Sequence, residues 1–153
     1  MRLSITWLLI VLANVSSINT YAADSLMIHN AWVPEMPPVS RVHAGFASFH
    51  NASNEDLEII AFSSPDYARI EMHLSKEVDG MARMIPQKSL IVQANKMLTL
   101  QHGSYHLMMF KPVRKLKSGD NISLSVQLSN GKQQSFSATV KSTMQNESHH
   151  HHH

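Results

Sequence analysis

Short segments in which apolar and polar residues alternate follow one another along most of the chain, and none has the period of an amphipathic helix. Turn-forming residues such as Asp79-Gly80 separate these segments, and Asn130-Gly131 is a strong signal for a two-residue hairpin. The pattern predicts an all-β fold, an antiparallel Greek-key β-sandwich or barrel of about eight to nine short strands. The predicted strands are Met27–Val33, His43–His50, Leu57–Ser63, Arg69–Ser75, Met81–Ile85, Met97–Gln101, Tyr105–Phe110, Ile122–Leu128 and Gln134–Val140.

The first residues have the pattern of a secretory signal peptide. A basic start is followed by the apolar run Trp7–Ala13 and by small residues in Thr20–Ala23. The apolar run is shorter than the roughly 20 residues that a membrane-spanning helix needs. We therefore expect three regions: a cleaved signal peptide over 1–23, one β-sandwich domain over 24–141, and a polar, His-rich, disordered tail over 142–153. The signal predicts an exported protein located in the periplasm, without stable insertion in a membrane.

The composition excludes several classes of function. The chain has no cysteine, so it can form no disulfide, thiolate metal site or lipid-modified cysteine, and the central ligand of blue-copper electron carriers is missing. The small formal net charge of +2 gives no reason to expect a nucleic-acid partner. No Ser-His-Asp signature, paired-carboxylate motif or phosphate-binding glycine loop is visible in the sequence. We therefore expect a protein that is not an enzyme.

Four residues with soft metal-binding side chains follow a distinctive spacing. His73 is separated by ten residues from Met84, and twenty-one further residues precede His106 and Met108. Thioether sulfur is neutral and soft, so it binds monovalent copper well but competes poorly for zinc, calcium or magnesium. A single strand histidine or methionine is usually a surface or core residue. The four together predict a copper(I) site.

The predicted strands give this spacing a structural meaning. If residues 77–80 form a four-residue hairpin loop, His73 and Met84 lie directly opposite each other on neighbouring strands. His106 and Met108 are two residues apart on another strand, so their side chains share one face. The same period places Met72, Met81 and Met109 on other faces. Two pairs from two elements are then expected to form one four-coordinate pocket.

The chain resembles the periplasmic copper chaperone family called PCuAC, whose signature is His, ten residues, Met, twenty-one residues, His-x-Met. The resemblance spans roughly residues 27–141. It implies a monomeric protein with a cupredoxin-like β-sandwich fold. This fold would bind Cu(I) through His73, Met84, His106 and Met108. It also implies transfer of copper to a partner, such as the copper A subunit of cytochrome c oxidase or another copper chaperone. Similar segments are Asn30-Ala31-Trp32-Val33, Ala44-Gly45-Phe46-Ala47, Glu71-Met72-His73, Gly80-Met81-Ala82-Arg83-Met84, Gly103–Met108 and Leu116–Asp120.

Other residues are weaker metal-binding candidates. His102 precedes Gly103 in a predicted loop and is a candidate for a secondary ligand at the pocket rim. The tail is either an affinity tag or a native extension that captures copper(II), since imidazole suits that ion. His43 and His50 are interpreted as ordinary strand positions, and Met27, His29 and Met36 are weaker evidence still. The tail candidates are Met144, His149, His150, His151, His152 and His153.

Two alternatives to copper delivery stay open from the sequence. One is a periplasmic protein for copper storage or detoxification, which would use the same four ligands. The other is a structural β-sandwich whose metal binding resides only in the tail. This second alternative predicts that replacing Met84 and Met108 with leucine leaves function intact, because the change nearly conserves volume.

Overall fold

The computed structural model describes residues 25–142, which form ten β-strands and contain no helix. The predicted signal peptide and the tail residues from 143 onward, with Met144 and His149–His153, lie outside this range. The prediction of an all-β sandwich is confirmed, and the sheet does not close into a barrel. The strands are β1 (Leu26–Pro34), β2 (Val42–Asn51), β3 (Leu57–Ser63), β4 (Tyr67–Val78), β5 (Met81–Gln87), β6 (Leu90–Val92), β7 (Met97–Leu100), β8 (Tyr105–Pro112), β9 (Asn121–Leu128) and β10 (Gln133–Lys141).

One strand, β6, is additional to the nine segments predicted from alternation. It spans only Leu90–Val92, in which Leu90 and Val92 are buried and Ile91 is exposed. Three residues are too few for a reliable alternation signal. Pairing with β3 stabilises this short strand, because Leu57 lies opposite Val92 and Ile59 opposite Leu90.

The strands follow one hydrogen-bonded path in the order β5-β4-β8-β2-β1-β10-β9-β3-β6, with β7 paired to β2 beside that path. Strand β2 joins the two halves of the sandwich. Its first part, Val42–Gly45, pairs with β8, and its later part, Ala47–His50, pairs with β7. Strand β1 lies along the other edge of β2, and its end pairs in parallel with β10. The pairings of β4, β5 and β8 are all antiparallel.

Alternation along the strands separates the core face of the sheet from a second face, on which some side chains, such as His106, are buried as well. In β8, Leu107 and Met109 are almost fully buried in a core cluster that also includes Phe49. Their neighbours His106 and Met108 therefore point to the other face of the sheet. This arrangement makes the core a rigid support for the residues on the second face.

Candidate metal centre

Two histidines lie directly opposite each other at the centre of the candidate metal site. The register of β4 and β8 pairs His73 with His106, and their ring centroids are 5.9 Å apart. Each residue is largely buried, with relative exposures of 7% for His73 and 5% for His106. The sheet therefore brings together two imidazoles that are distant in the sequence.

The hydrogen bonds of the two imidazoles define which nitrogen atoms can bind a metal ion. His73 donates from Nε2 to Oε2 of Glu71 at 2.9 Å, and His106 donates from Nδ1 to the carbonyl oxygen of Ser104 at 3.0 Å. A carboxylate and a carbonyl can only accept, so these nitrogens carry the protons. In neutral rings the lone pairs then lie on Nδ1 of His73 and Nε2 of His106.

Both lone-pair nitrogens are buried and have no hydrogen-bond partner. Within residues 25–142, no other buried side-chain nitrogen or oxygen atom lacks a partner. Leaving such an atom unsatisfied costs about 1–3 kcal/mol, so a pair of them on facing rings requires an explanation. Coordination of a shared cation would satisfy both atoms, and the donor set fits an ion that accepts imidazole.

The two methionines lie on the same face as the histidines. Met108 is two residues from His106 on β8, opposite Glu71, and is partly buried. Met84 lies on the edge strand β5 opposite Ser75, which is two residues from His73. Residues in register share a face, so Met84 is a diagonal neighbour of His73. Met84 is 61% exposed, so its thioether is the most accessible of the four candidate donors.

The predicted direct pairing of His73 with Met84 is wrong. His73 lies opposite Pro86, because the β4–β5 hairpin has only Asp79 and Gly80 between the paired residues Val78 and Met81. Asp79 and Gly80 have φ angles of 54° and 72°. Positive φ at both central residues is typical of a type I′ turn, whose twist matches that of the flanking strands. The shorter loop shifts the register by two residues, which preserves the shared face.

Glu71 orients His73 and is itself held by a cation. Its carboxylate accepts a hydrogen bond from His73 and forms a 2.8 Å ion pair with Nε of Arg69. The hydrogen bond from His73 is the main reason that the pKa of Glu71 lies below its ordinary value, and Arg69 adds to the effect. Carboxylates that hold a metal-binding histidine in this way fix its tautomer and ring orientation.

Sequence reasoning did not identify Glu71 or Ser104 as orienting groups. A signal for Glu71 was present, because it is two residues from His73 and the strand period places both on one face. The Ser104 carbonyl had no such signal, since the path of the loop before β8 is not encoded in alternation. The predicted positions of Met72 and Met109 are confirmed: both are buried in the core.

His102 packs against aromatic rings. Its ring centroid is 4.4 Å from that of Phe46 and 6.3 Å from that of Trp32, and Nζ of Lys141 lies 5.7 Å from the centroid of Trp32. Across the described range, no three His, Cys, Asp or Glu side chains are clustered closely enough to hold a metal ion. His102 therefore does not join the two central histidines as a third imidazole in this conformation.

Comparison with known proteins identifies the family. The sequence profile of the LpqE-like lipoprotein family matches residues 26–140. The chain belongs to the LpqE-like family. Comparison with curated protein sequences gave no significant match. Within residues 25–142 we find no helix with the length and hydrophobicity needed to cross a membrane.

Solved structures of PCuAC domains share the fold, which confirms the resemblance indicated by the sequence. The copper-bound PCuAC domain from PmoF2 superposes with a TM-score of 0.67 at 12% identity and covers 80% of this chain and 97% of that domain. The apo form of DR1885 from Deinococcus radiodurans gives a TM-score of 0.63 at 22% identity, covering 94% of this chain and 98% of that protein. At these identities the similarity establishes the β-sandwich architecture.

Proposed function

We propose that this protein is an exported copper chaperone that binds Cu(I) through His73, Met84, His106 and Met108 and transfers it to a partner. The observation that carries the proposal is the pair of buried, unpartnered nitrogens on His73 and His106. Two thioethers on the same face complete a neutral, soft donor set, which suits Cu(I) better than zinc or a hard cation. The copper-bound PCuAC domain from PmoF2 and the CuI form of DR1885, which share this fold, support the choice of metal.

The proposed mechanism is ligand exchange. Cu(I) has a filled d shell and tolerates low coordination numbers, so a ligand from a partner can enter as one of the four leaves. Met84 is the donor that leaves first, because it lies on the edge strand β5 and is largely exposed. The two histidines leave last, since the core supports β4 and β8 and Glu71 and Ser104 hold the rings. Protons compete for the same lone pairs, so acid lowers copper occupancy.

Three further features complete the proposal. The receiving partner is a copper protein such as the copper A subunit of cytochrome c oxidase or another copper chaperone, as the PCuAC resemblance implies. The protein acts by binding and release and is not an enzyme. Export to the periplasm by a cleaved signal peptide places it where such a partner meets copper.

Anaerobic Cu(I) titration against a competing chelator tests the site. The full chain carries asparagine at positions 149–153 in every sample, so that tail imidazoles do not obscure the result. We compare the parent, the double variant Met84→Leu with Met108→Leu, and the control Met81→Leu, an exposed methionine on the opposite face of β5. We expect one tight equivalent in the parent and the control, and a loss of more than about 100-fold in affinity in the double variant.

Two outcomes would contradict the proposal. Equal affinity in the parent and the double variant would show that the thioethers are not ligands. No tight Cu(I) equivalent in any sample would exclude the pocket and favour a structural β-sandwich whose metal binding resides in the tail. Circular dichroism of every variant checks that the β-sandwich is retained, which we expect because methionine-to-leucine changes nearly conserve volume.

A further inference from the structure

A second set of soft donors lies on the outward face of β1, β2 and β7. In the register of these strands, His50 on β2 lies opposite Met27 of β1 on one side and opposite Met97 of β7 on the other. Three neighbouring strands thus place a thioether, an imidazole and a thioether in one row. His29 is two residues from Met27 and lies opposite Ser48, so it occupies the adjacent row.

The alternation of burial shows that these side chains point away from the core. Leu26, Phe49 and Leu100 are almost fully buried. By contrast Met27 is 39% exposed, Met97 is 58% exposed, and His50 is partly exposed. In the adjacent row, Ser48 Oγ and Thr99 Oγ1 are 3.3 Å apart, so side chains at paired positions of β2 and β7 do meet on this face.

The backbone beneath the row is already fixed. The backbone N–H of Asn51 donates to the backbone carbonyl of Lys96 at 2.9 Å, and the backbone N–H of Ala52 donates to the backbone carbonyl of Ser25 at 2.7 Å. The side chain of Asn51 is fully buried and donates to the carbonyl oxygen of Val92 at 2.9 Å. These bonds tie β1 and the segment before β7 to the end of β2, so metal binding would require only side-chain rotation.

We propose that Met27, His50 and Met97, with His29 beside them, form a second binding site for a soft monovalent cation, Cu(I) or its analogue Ag(I). Directly opposed residues have Cβ atoms about 4.5–5.5 Å apart, so a thioether from each side can reach the central imidazole. Methionine has three rotatable bonds and adapts to such a geometry. Two neutral sulfur atoms and one imidazole select a soft ion over zinc or a hard cation.

The second site is separate from the His73–His106 centre and binds more weakly. Ala44, which pairs with Met108, is six residues from His50 on β2 and on the same face, so about 20 Å of strand separates Met108 from the row at about 3.3 Å per residue, and His106 lies two residues nearer to the row. Within the range the structure covers, neither His29 nor His50 makes a side-chain hydrogen bond that would orient its ring. The row therefore fills after the buried centre, as copper becomes more abundant.

Methyl NMR of the full chain labelled with ¹³C at methionine methyl groups tests this proposal with Ag(I) as the probe. Residue-specific signals separate the row from the first site and from the tail. We expect the Met84 and Met108 methyl signals to shift first and those of Met27 and Met97 to shift together afterwards. In His50→Gln and in Met97→Leu, the Ag(I) affinity read at Met27 should fall by at least about tenfold. Met81→Leu is the matched control and should leave that affinity unchanged.

The outcomes distinguish this site from the first one. Shifts at Met27 and Met97 in a His73→Gln, His106→Gln double variant would support the second site whatever happens at the first. The proposal is overturned if these two signals stay in place while those of Met84 and Met108 move. It is also overturned if the exposed Met81 shifts at the same Ag(I) concentrations, because that pattern indicates binding to any exposed thioether.

Discussion

His73 and His106 face each other across β4 and β8 with complementary tautomers: one ring is anchored through Nε2 and the other through Nδ1. As a result, Nδ1 of His73 and Nε2 of His106 are each left with a buried, unpartnered lone pair. The anchoring groups come from the residues two positions earlier on the same strand or loop, Glu71 and Ser104. The orientation of each imidazole is therefore set by residues of its own segment. The register of β4 and β8 brings the two imidazoles together.

Removing the carboxylate that orients His73 should weaken copper binding without removing a ligand. In Glu71→Ala, His73 loses its hydrogen-bond acceptor and is free to rotate, so we expect Cu(I) affinity to fall by about 10–100-fold. Chelator competition measures the affinity. Arg69→Gln is the matched control, because it removes the ion pair but keeps the Glu71–His73 hydrogen bond, and it should have a much smaller effect. An equal loss of affinity in the two variants would mean that Glu71 orients His73 only while Arg69 holds its carboxylate, so the Glu71–His73 hydrogen bond alone would not account for the effect.

The Asp79-Gly80 turn should control the placement of Met84. Gly80 has a φ of 72°, and a Cβ added there would meet no atom within 4 Å, so the cost of Gly80→Ala is conformational. We expect the free energy of unfolding to fall by about 1–2 kcal/mol. Cu(I) affinity should fall as well, because fraying of β5 removes Met84 from its position. Denaturant unfolding and chelator competition measure the two effects.

Asp79→Asn is the control for the turn, because asparagine tolerates positive φ and should leave the free energy of unfolding within a few tenths of a kcal/mol. If Gly80→Ala were as stable as the parent, the two-residue turn would be called into question. The longer loop expected from the sequence, which pairs His73 directly with Met84, would then regain support.

Alternation in the sequence predicts nine of the ten strands and the shared face of the candidate donors, because a period of two is a local property of a strand. It does not predict the register of the hairpin. Loops of two and of four residues around Gly80 both keep Met84 on the correct face, so periodicity cannot choose between them. The Asp79-Gly80 dipeptide is typical of a two-residue type I′ turn, and the pairing of Val78 with Met81 and the positive φ angles of both turn residues identify that turn.

The row of Met27, His50 and Met97 was not predicted for a related reason. Its members lie on the consecutive strands β1 and β2 and on β7, which is far along the chain, and each is an unremarkable surface residue by itself. They come together because His50 of β2 pairs with Met27 of β1 on one side and with Met97 of β7 on the other. Sequence patterns carry little information about such non-local pairings, whereas a His-x-Met pair on one strand is visible at once.

A close contact in the core should connect stability to the metal centre. Gly45 pairs with Leu107, and a Cβ added at Gly45 would lie 3.1 Å from Cε of Met109 and 3.3 Å from Cβ of Leu107. Gly45→Ala should therefore lower the free energy of unfolding by about 1–3 kcal/mol. It should also weaken Cu(I) binding, because β8 carries His106 and must shift to relieve the contact. Denaturant unfolding and chelator competition measure both effects.

A compensating substitution checks this reasoning. Met109→Val shortens the side chain that the new Cβ would meet, so combining it with Gly45→Ala should restore part of the lost stability relative to the sum of the single changes. Additive losses in the double variant would show that the two positions do not interact. The destabilisation by Gly45→Ala would then need another cause.

A buried histidine on the core side should make stability depend on pH. His43 lies within hydrogen-bond distance of Tyr67, with Nδ1 and the hydroxyl oxygen 2.9 Å apart, and burial lowers its pKa while the Ser40 backbone partly opposes the shift. An unfolded histidine titrates near about 6.5, so below that pH the unfolded state binds more protons than the native state. The contribution is fully present above about pH 6.5. It is lost as the pH falls toward the lowered native pKa.

Chemical unfolding of the copper-free protein at pH values between about 7.5 and 5 measures this dependence. We expect the free energy of unfolding to decrease on acidification, and the decrease to be smaller in His43→Gln, which has no proton to gain. The difference between the two proteins isolates His43 from the other histidines. His29→Gln is the control, because this exposed residue makes no side-chain hydrogen bond to the rest of residues 25–142 and should leave the pH dependence close to that of the parent. Parallel curves for the parent and His43→Gln would show that the buried imidazole does not set the acid sensitivity.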